Sequence, residues 1–356
     1  MVVFLDKRIT DQQLEAIKEA AKSMGLEARL VSGSHENILA LIGDERGKEL
    51  RSLEALPGVR KVMPVEKQYK IVSRDGNQRY NHYDTKIVNV SGVKFGAKKP
   101  VMIAGPCAVE SLEQVTELAC ALRELGVDIL RGGAYKPRTS PYDFQGLGEA
   151  GLKMLKRASE KSGLPIVTEV LDTAAVEQVA AYADMLQIGT RNMWNYALLS
   201  AVGKTRKPIL LKRGLIATMT EWLCAAEYIA IEGNSEIVLC ARGVRTGVTG
   251  EYGRNHADWD VIFPLQKETY LPVIADPSHC GGLAERVPSL ALSALACGAQ
   301  GLIIETIREN AKPEEVKCDY KQGLRPSQLR TLLKKCADIR FADMRSRDVR
   351  ASYEEK

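Results

Sequence analysis

Four residues that suit a divalent metal are scattered through the chain: Cys107, His279, Glu305 and Asp319. A thiolate, an imidazole and two carboxylates make a mixed donor set for Zn, Mn, Fe or Co. Singly they say little. A cysteine is commonly a small buried apolar group, and a lone histidine such as His35, His82 or His256 is commonly a surface or hydrogen-bonded one. A second set is cationic: Arg131, Lys136, Arg138, Arg191, Lys212 and Arg242. Guanidinium forks match phosphate and carboxylate geometry, and lysine adds point charge. Brought to one place, these cations would repel one another without anions among them. The set therefore predicts a substrate with several anionic groups, or two such substrates; salt bridges to nearby carboxylates are the alternative. Three of the cations crowd LRGGAYKPRTSPYDFQG (130–146), where only Asp143 opposes them.

The elements that must gather these residues follow a beat that starts at residue 101: apolar strand, polar turn, amphipathic helix. Strand candidates begin at VMIAGP (101), DILRGG (128), PIVTEV (165), DMLQIG (184), PILLKRG (208), EIVLCAR (236), LPVIADPSH (271) and GLIIET (301). Eight near-continuous apolar strands in βα alternation predict a (β/α)8 TIM barrel over residues 99–340, with an open doubly wound sheet as the runner-up. Neither GxGxxG after a strand nor GxxxxGK[ST] is present to favour the open sheet. In a barrel the catalytic side chains collect at the C-terminal strand ends. The metal-type residues fall on strands 1, 7 and 8 and the loop beyond, which become neighbours when the barrel closes. The cations fall on strands 2, 4, 5 and 6. Cys120, Cys224, Cys297 and Cys336 read as apolar helix faces; Cys280 and Cys318, beside two proposed ligands, read as packing, spare ligands or oxidation-sensitive thiols.

Residues 1–70 read β-α-β-β-α-β, with helices at 11–24 and GKELRSLEAL, a small ferredoxin-like α+β domain. It carries no evident chemistry, so packing, dimerisation or small-ligand sensing are its candidate roles. Residues 71–98 read as a linker with a short hairpin that covers one end of the barrel, and 341–356 as a charged tail. A net charge of +5, from 50 basic and 45 acidic residues, gives no reason to expect nucleic acid. The absence of a signal-peptide pattern and of an 18-residue apolar run predicts a cytoplasmic protein with no membrane partner. Eight scattered cysteines without a CxxC pair exclude a disulfide framework.

The stretches IAGPCAVES (103–111), LRGGAYKPRTSPYDFQGLGE (130–149), VTEVLD (167–172), QIGTRNMWNYALL (187–199), PILLKRGL (208–215), LCARGVRT (239–246) and PVIADPSHCGG (272–282) resemble type I 3-deoxy-D-arabino-heptulosonate 7-phosphate (DAHP) synthases. The resemblance is to the subfamily with an N-terminal ferredoxin-like regulatory domain. It implies a metal-dependent condensation of phosphoenolpyruvate (PEP) with D-erythrose 4-phosphate. It places PEP among Arg131, Lys136, Arg191, Lys212 and Arg242, and the aldose phosphate on Arg138 and Thr139. One divalent ion (Mn, Fe, Zn or Co) would sit on Cys107, His279, Glu305 and Asp319. Lys136, Glu169 and Asp276 are carried as catalytic candidates, with a salt bridge from Glu169 to Lys136 or Lys212 as the competing reading. The GGAYKPRTSPY segment separates the chain from the sister 3-deoxy-octulosonate 8-phosphate synthases. The resemblance also implies a homo-oligomer, dimer or tetramer, and an aromatic amino acid effector, Tyr or Phe, bound by an N-terminal domain that closes over the barrel mouth. Two departures stand out. IETIREN follows the eighth strand where the family usually has Glu-Val-His-Pro, and GVTGEYGRNHADWDVIFP (247–264), with His256, Asp258 and Asp260, is longer than expected. They leave open a sister synthase acting on a different aldose phosphate, an amino-sugar or five-carbon one, and behind it a non-catalytic anion-binding regulatory protein.

Overall fold

The apolar run VVFL forms β1 (Val2–Leu5), followed by α1 (Asp11–Ser23), β2 (Glu27–Ser32), β3 (Asn37–Ile42), a 3₁₀ turn at Leu50–Ala55 and β4 (Val59–Met63). The structure is a computed structural model that describes residues 1–6, 8–32, 37–43, 48–63, 67–75, 80, 84–246 and 253–338. His35, His82, residues 247–252 and the tail 341–356 lie outside them. The four strands are antiparallel in the order β2-β3-β1-β4, the ferredoxin-like arrangement. Thr10 and Gln13 close a capping box at the start of α1. The second helix expected from GKELRSLEAL is only the six-residue 3₁₀ turn. Pro57 holds Leu56 extended at ψ 136°, which ends the helical run.

β1 is apolar throughout because both sheet faces are covered. Val3 and Leu5 pack with Ile17, Ala21 and Leu53 on the helix side. Val2 and Phe4, with Ile38 and Ala40, belong to the cluster that continues into the outer layer of the next domain. That burial draws the sheet against the flank of the barrel.

A hairpin, β5 (Val88–Val90) and β6 (Val93–Phe95), precedes the βα alternation. The alternation runs β7 (Val101–Gly105), α2 (Leu112–Glu124), β8 (Ile129–Arg131), α3 (Glu149–Ser162), β9 (Ile166–Val170), α4 (Val176–Tyr182), β10 (Met185–Ile188), α5 (Tyr196–Lys204), β11 (Ile209–Lys212) and α6 (Met219–Ala230). It continues through β12 (Ile237–Ala241), α7 (Ile262–Glu268), β13 (Val273–Ala275), the short α8 (Pro277–Gly281), α9 (Val287–Ala296) and β14 (Gly301–Glu305). Strands β7 to β14 are parallel and close into a barrel. The seam joins β14 to β7, with Glu305 opposite Gly105, so the last strand ends beside the loop that carries Cys107. Strand residues are buried on both sheet faces, which explains their unbroken apolar runs. Inward-facing Ile103, Ile129, Val167, Leu210, Val238, Ile274 and Ile303 fill the interior, and Val88, Val90 and Phe95 of the hairpin pack onto them. Ser91 bonds to Asp184 just before β10, which puts the hairpin on the N-terminal end of the barrel, away from the catalytic face. Among the described residues no helix is long and apolar enough to cross a membrane.

Residues 69–74 between the domains are held by residues 266–270 and by one carboxylate of α6. Glu227 on α6 accepts three successive backbone amides, Lys70 and Ile71 on Oε1 (2.9 and 2.8 Å) and Val72 on Oε2 (3.0 Å). Nearby, Lys70 Nζ reaches Leu41 O (3.4 Å) and Arg29 lies 3.8 Å from Glu232, just past the C-terminal end of α6. The N-terminal domain thus docks on the flank of α6 rather than over the barrel mouth. The apolar outer face of its sheet accounts for this docking. Glu227→Gln keeps the shape but turns an NH₂ toward the Val72 amide. We expect a loss of about 1–3 kcal/mol, the cost of an unpaired buried donor. Hydrogen exchange at residues 70–72 should speed up while the barrel strands stay protected.

Candidate active site and metal centre

β7 ends in GPC, and the chain past β14 returns through a 3₁₀ turn at Tyr320–Gln322 preceded by Asp319. Together with His279 on α8 and Glu305 at the end of β14, these turns bring four donors together. One ligand atom from each of Cys107, His279, Glu305 and Asp319 lies within 4.8 Å of all the others. His279 Nε2 is 3.2 Å from Glu305 Oε1 and 4.0 Å from Asp319 Oδ2, and Cys107 Sγ is 3.1 Å from Asp319 Oδ2. The site fits a divalent cation on observations independent of the residue types. Glu305 Oε1 is buried without a hydrogen-bond partner, although Arg131 Nη1 approaches it to 3.1 Å. Asp319 adopts φ 55°, ψ 35°, a left-handed backbone that is uncommon for a residue with a Cβ and often marks a functional site.

His279 is oriented from behind. Asp276 Oδ2 pairs with Nδ1 (2.8 Å), and Asp276 Oδ1 accepts the His279 backbone amide (2.9 Å). This leaves Nε2 facing the cluster as a lone-pair donor. Burial lowers the His279 pKa against the pull of Asp276 and Glu305. Asp276 is fully buried and also pairs with Lys212 Nζ. Burial alone would raise its pKa, but His279 and Lys212 hold it well below the usual carboxylate range. The His279 carbonyl accepts from Asn255 (2.7 Å) and Arg242 (3.2 Å).

The six sequence-predicted cations all line one cavity of about 190 Å³ at the C-terminal barrel end, together with Thr139, Glu169, His279 and Asp319. Lys136 Nζ donates to Cys107 O (3.0 Å) and lies 3.1 Å from Cys107 Sγ. Burial disfavours its charge, yet Cys107, Cys318, Glu169 and Glu305 outweigh that and raise its pKa. Gly133 permits this approach, since a Cβ there would lie 2.6 Å from Cys107 O and 2.8 Å from Lys136 Cδ. Arg242 is buried with Nη1 unpartnered, and burial lowers its pKa, so an anion beside it would relieve an uncompensated charge. Arg138 pairs with Asp143 (3.2 Å), the one acid in its own loop. Glu169 accepts from Gln187 (3.3 Å) and makes no ion pair with Lys136 or Lys212 among the described residues. It has room only because residue 189 is glycine: a Cβ there would meet Glu169 Oε1 at 1.8 Å.

Several participants escaped the sequence reading. Arg245 and Arg254 also face the cavity. Arg245 lies within the LCARGVRT motif, whereas Arg254 had no signal beyond its charge in the long 247–264 segment. Cys318, read mainly as packing, lies 3.0 Å from Cys107 Sγ and accepts from Arg138 Nη1 (2.9 Å). Asp258 of the same segment pairs with Arg213, a structural contact beside the cavity.

Fold and site define a (β/α)8-barrel enzyme in which a mixed-donor cluster shares a cavity with a cationic bowl. Residues 79–342 match the DAHP synthetase I family, and residues 1–67 match the DAHP synthase ferredoxin-like domain. The chain belongs to the DAHP synthetase I family. It is 43% identical to a phospho-2-dehydro-3-deoxyheptonate aldolase of Thermotoga maritima, over 91% of this chain and 93% of that one. The crystal structure of a DAHP synthase from the same organism superposes with a TM-score of 0.73 at 40% identity, covering 96% and 97% of the two chains. A 2-dehydro-3-deoxyphosphooctonate aldolase of a Geobacter species is 30% identical, over 72% of this chain and 97% of that one.

Asp276→Asn leaves Lys212 buried without its anion, and we expect a loss of roughly 3–5 kcal/mol. The folded-state pKa of Asp276 is depressed, so its stabilisation is present above the unfolded value of about 3.9 and is lost as pH falls through the lower folded value. Denaturant melts should show a stability gap between parent and D276N that is flat from pH 7 to about pH 5 and narrows at more acidic pH.

Proposed function

We propose that this chain is a DAHP synthase. It condenses PEP with D-erythrose 4-phosphate and water to give DAHP and phosphate, the first step of the shikimate pathway. The observation that carries the reading is that His279 and Asp319 of the donor cluster line the same cavity as the cations. A divalent ion held by Cys107, His279, Glu305 and Asp319 would supply Lewis acidity toward the aldehyde oxygen. The mixed sulfur, nitrogen and oxygen set admits Zn, Mn, Fe or Co.

In this reading Arg131, Lys136, Arg191, Lys212 and Arg242 hold the phosphate and carboxylate of PEP, and Arg138 with Thr139 holds the aldose phosphate. Their main work is to seat two mutually repelling anions in contact, an effect worth roughly 7–11 kcal/mol of barrier. C3 of PEP then bonds to the aldehyde carbon, water adds at C2, and the phosphohemiketal collapses with release of phosphate. Glu169, which makes no ion pair among the described residues, takes the proton of the incoming water. Lys136, held cationic by its neighbours, faces the negative charge that develops on the aldehyde oxygen. Asp276 acts through His279 and Lys212 rather than on substrate.

The test is phosphate release. It should require both PEP and erythrose 4-phosphate, stop with a chelator, and return on adding a divalent ion. The octonate aldolase relative makes arabinose 5-phosphate the necessary comparison. Release with that sugar and none with erythrose 4-phosphate would move the chain to the sister activity. Cys107→Ala should abolish turnover while PEP affinity stays within a few-fold.

The ferredoxin-like domain is read as the seat of an aromatic amino acid effector, Tyr or Phe, in a cytoplasmic homo-oligomer, dimer or tetramer. Removing residues 1–70 should leave activity and abolish inhibition by Tyr or Phe. Undiminished inhibition of the truncated chain would overturn this part of the reading.

A further inference from the structure

The carboxylates of the donor cluster are held from outside by a short relay. Gln322, only 2% exposed, donates from Nε2 to Glu305 Oε2. Its Oε1 accepts from Arg254 Nη1 (3.0 Å), and the same Nη1 lies 3.3 Å from Asp319 Oδ1. Each carboxylate therefore has one oxygen tied by the relay and the other turned inward. Glu305 Oε1 faces His279 Nε2, and Asp319 Oδ2 faces Cys107 Sγ. The central link must give a proton to Glu305 and receive one from Arg254. Among side chains of this length only a carboxamide does both at every pH.

We propose that Gln322 and Arg254 are positioning residues for the metal centre, fixing the inward oxygens of Glu305 and Asp319. The inference rests on the metal reading above and extends it to two residues of this chain. Glu305 takes its partner Gln322 from the turn after Asp319. The long 247–264 segment, which contains Arg254, supplies the anchor. The polar neighbours of metal ligands typically change metal affinity 10–100-fold when removed.

The experiment measures Mn²⁺ and Zn²⁺ affinity by competition with a chromophoric chelator, on the full-length chain. Gln322→Met keeps length without hydrogen bonds. Gln322→Glu accepts from Arg254 but has no donor for Glu305. Gln322→Met should weaken metal affinity 10–100-fold and lower the unfolding midpoint by the cost of an unpaired buried carboxylate oxygen, while PEP affinity of the metal-free protein stays within a few-fold of the parent; Gln322→Glu, which sets a second carboxylate against Glu305, should lower the midpoint further. Arg254→Lys, at a half-exposed position that tolerates change, serves if a Gln322 variant does not fold; its affinity loss should be partial, and Arg254→Ala larger. Metal affinity within twofold of the parent in these variants overturns the proposal. So does a raised KM for either substrate at saturating metal with metal affinity unchanged, which would place Arg254 in the anion bowl instead. A parent chain that binds neither ion would sink the metal reading itself, whereas tight parent binding with unaffected variants would sink this inference alone.

Discussion

Asp276 accepts from Lys212 on one side and from the His279 ring on the other, with no exposed surface. One buried carboxylate thus serves both halves of the site. Toward the bowl it balances a cation that would otherwise be stranded in low dielectric; toward the donor cluster it fixes the ring whose second nitrogen faces the ligands. A lone buried charge is costly, while a buried group with two oppositely charged or polarised partners is stable. The short helix that opens with Asp-Pro-Ser-His supplies this in four residues, since the aspartate caps the backbone of the histidine it also orients. The rest of the site is arranged about that junction. Carboxylates and a thiol sit at the seam of the barrel, cations sit across from them, and the cavity lies between.

Much of this was legible in the chain. Strands buried on both faces leave unbroken apolar runs, so all eight barrel strands could be counted, and their C-terminal ends name the bowl and the donors. What was not legible depended on chain reversals that no local pattern encodes. Arg254 and Gln322 lie 68 residues apart and meet only because the loops after β12 and β14 fold over the same seam. Cys318 read as packing first and spare ligand or oxidation-sensitive thiol second, and its contact with Cys107 lies beside the left-handed turn at Asp319. The second ferredoxin-like helix read as helical from its periodicity, but it forms only a 3₁₀ stretch that stops before Pro57. The docking of the N-terminal domain on the flank of α6 was not read from the sequence, because the apolar outer face of its sheet does not say which surface covers it.

The cavity carries more positive charge than its acids balance. Repulsion of this kind is tolerable in a folded chain only where the rims are partly open to water or where anions arrive to relieve it. Arg191 and Arg245 are exposed at the rim, while Arg131, Lys136, Lys212 and Arg242 lie deep. The deep group is held in place by Glu305, the Cys107 carbonyl, Asp276 and the His279 carbonyl respectively. The bowl is therefore built before any ligand enters, and binding requires little rearrangement of the inner cations.

The chain leading into the first barrel strand is pinned twice, by the three amides on Glu227 and by the hairpin seated on the barrel floor. In this conformation a movement of the N-terminal domain would bear on the site as a sideways load on α6. That helix begins just beyond the turn that carries Leu215 to the edge of the cavity, so a shift of its axis would tilt one wall of the vessel while leaving the base undisturbed.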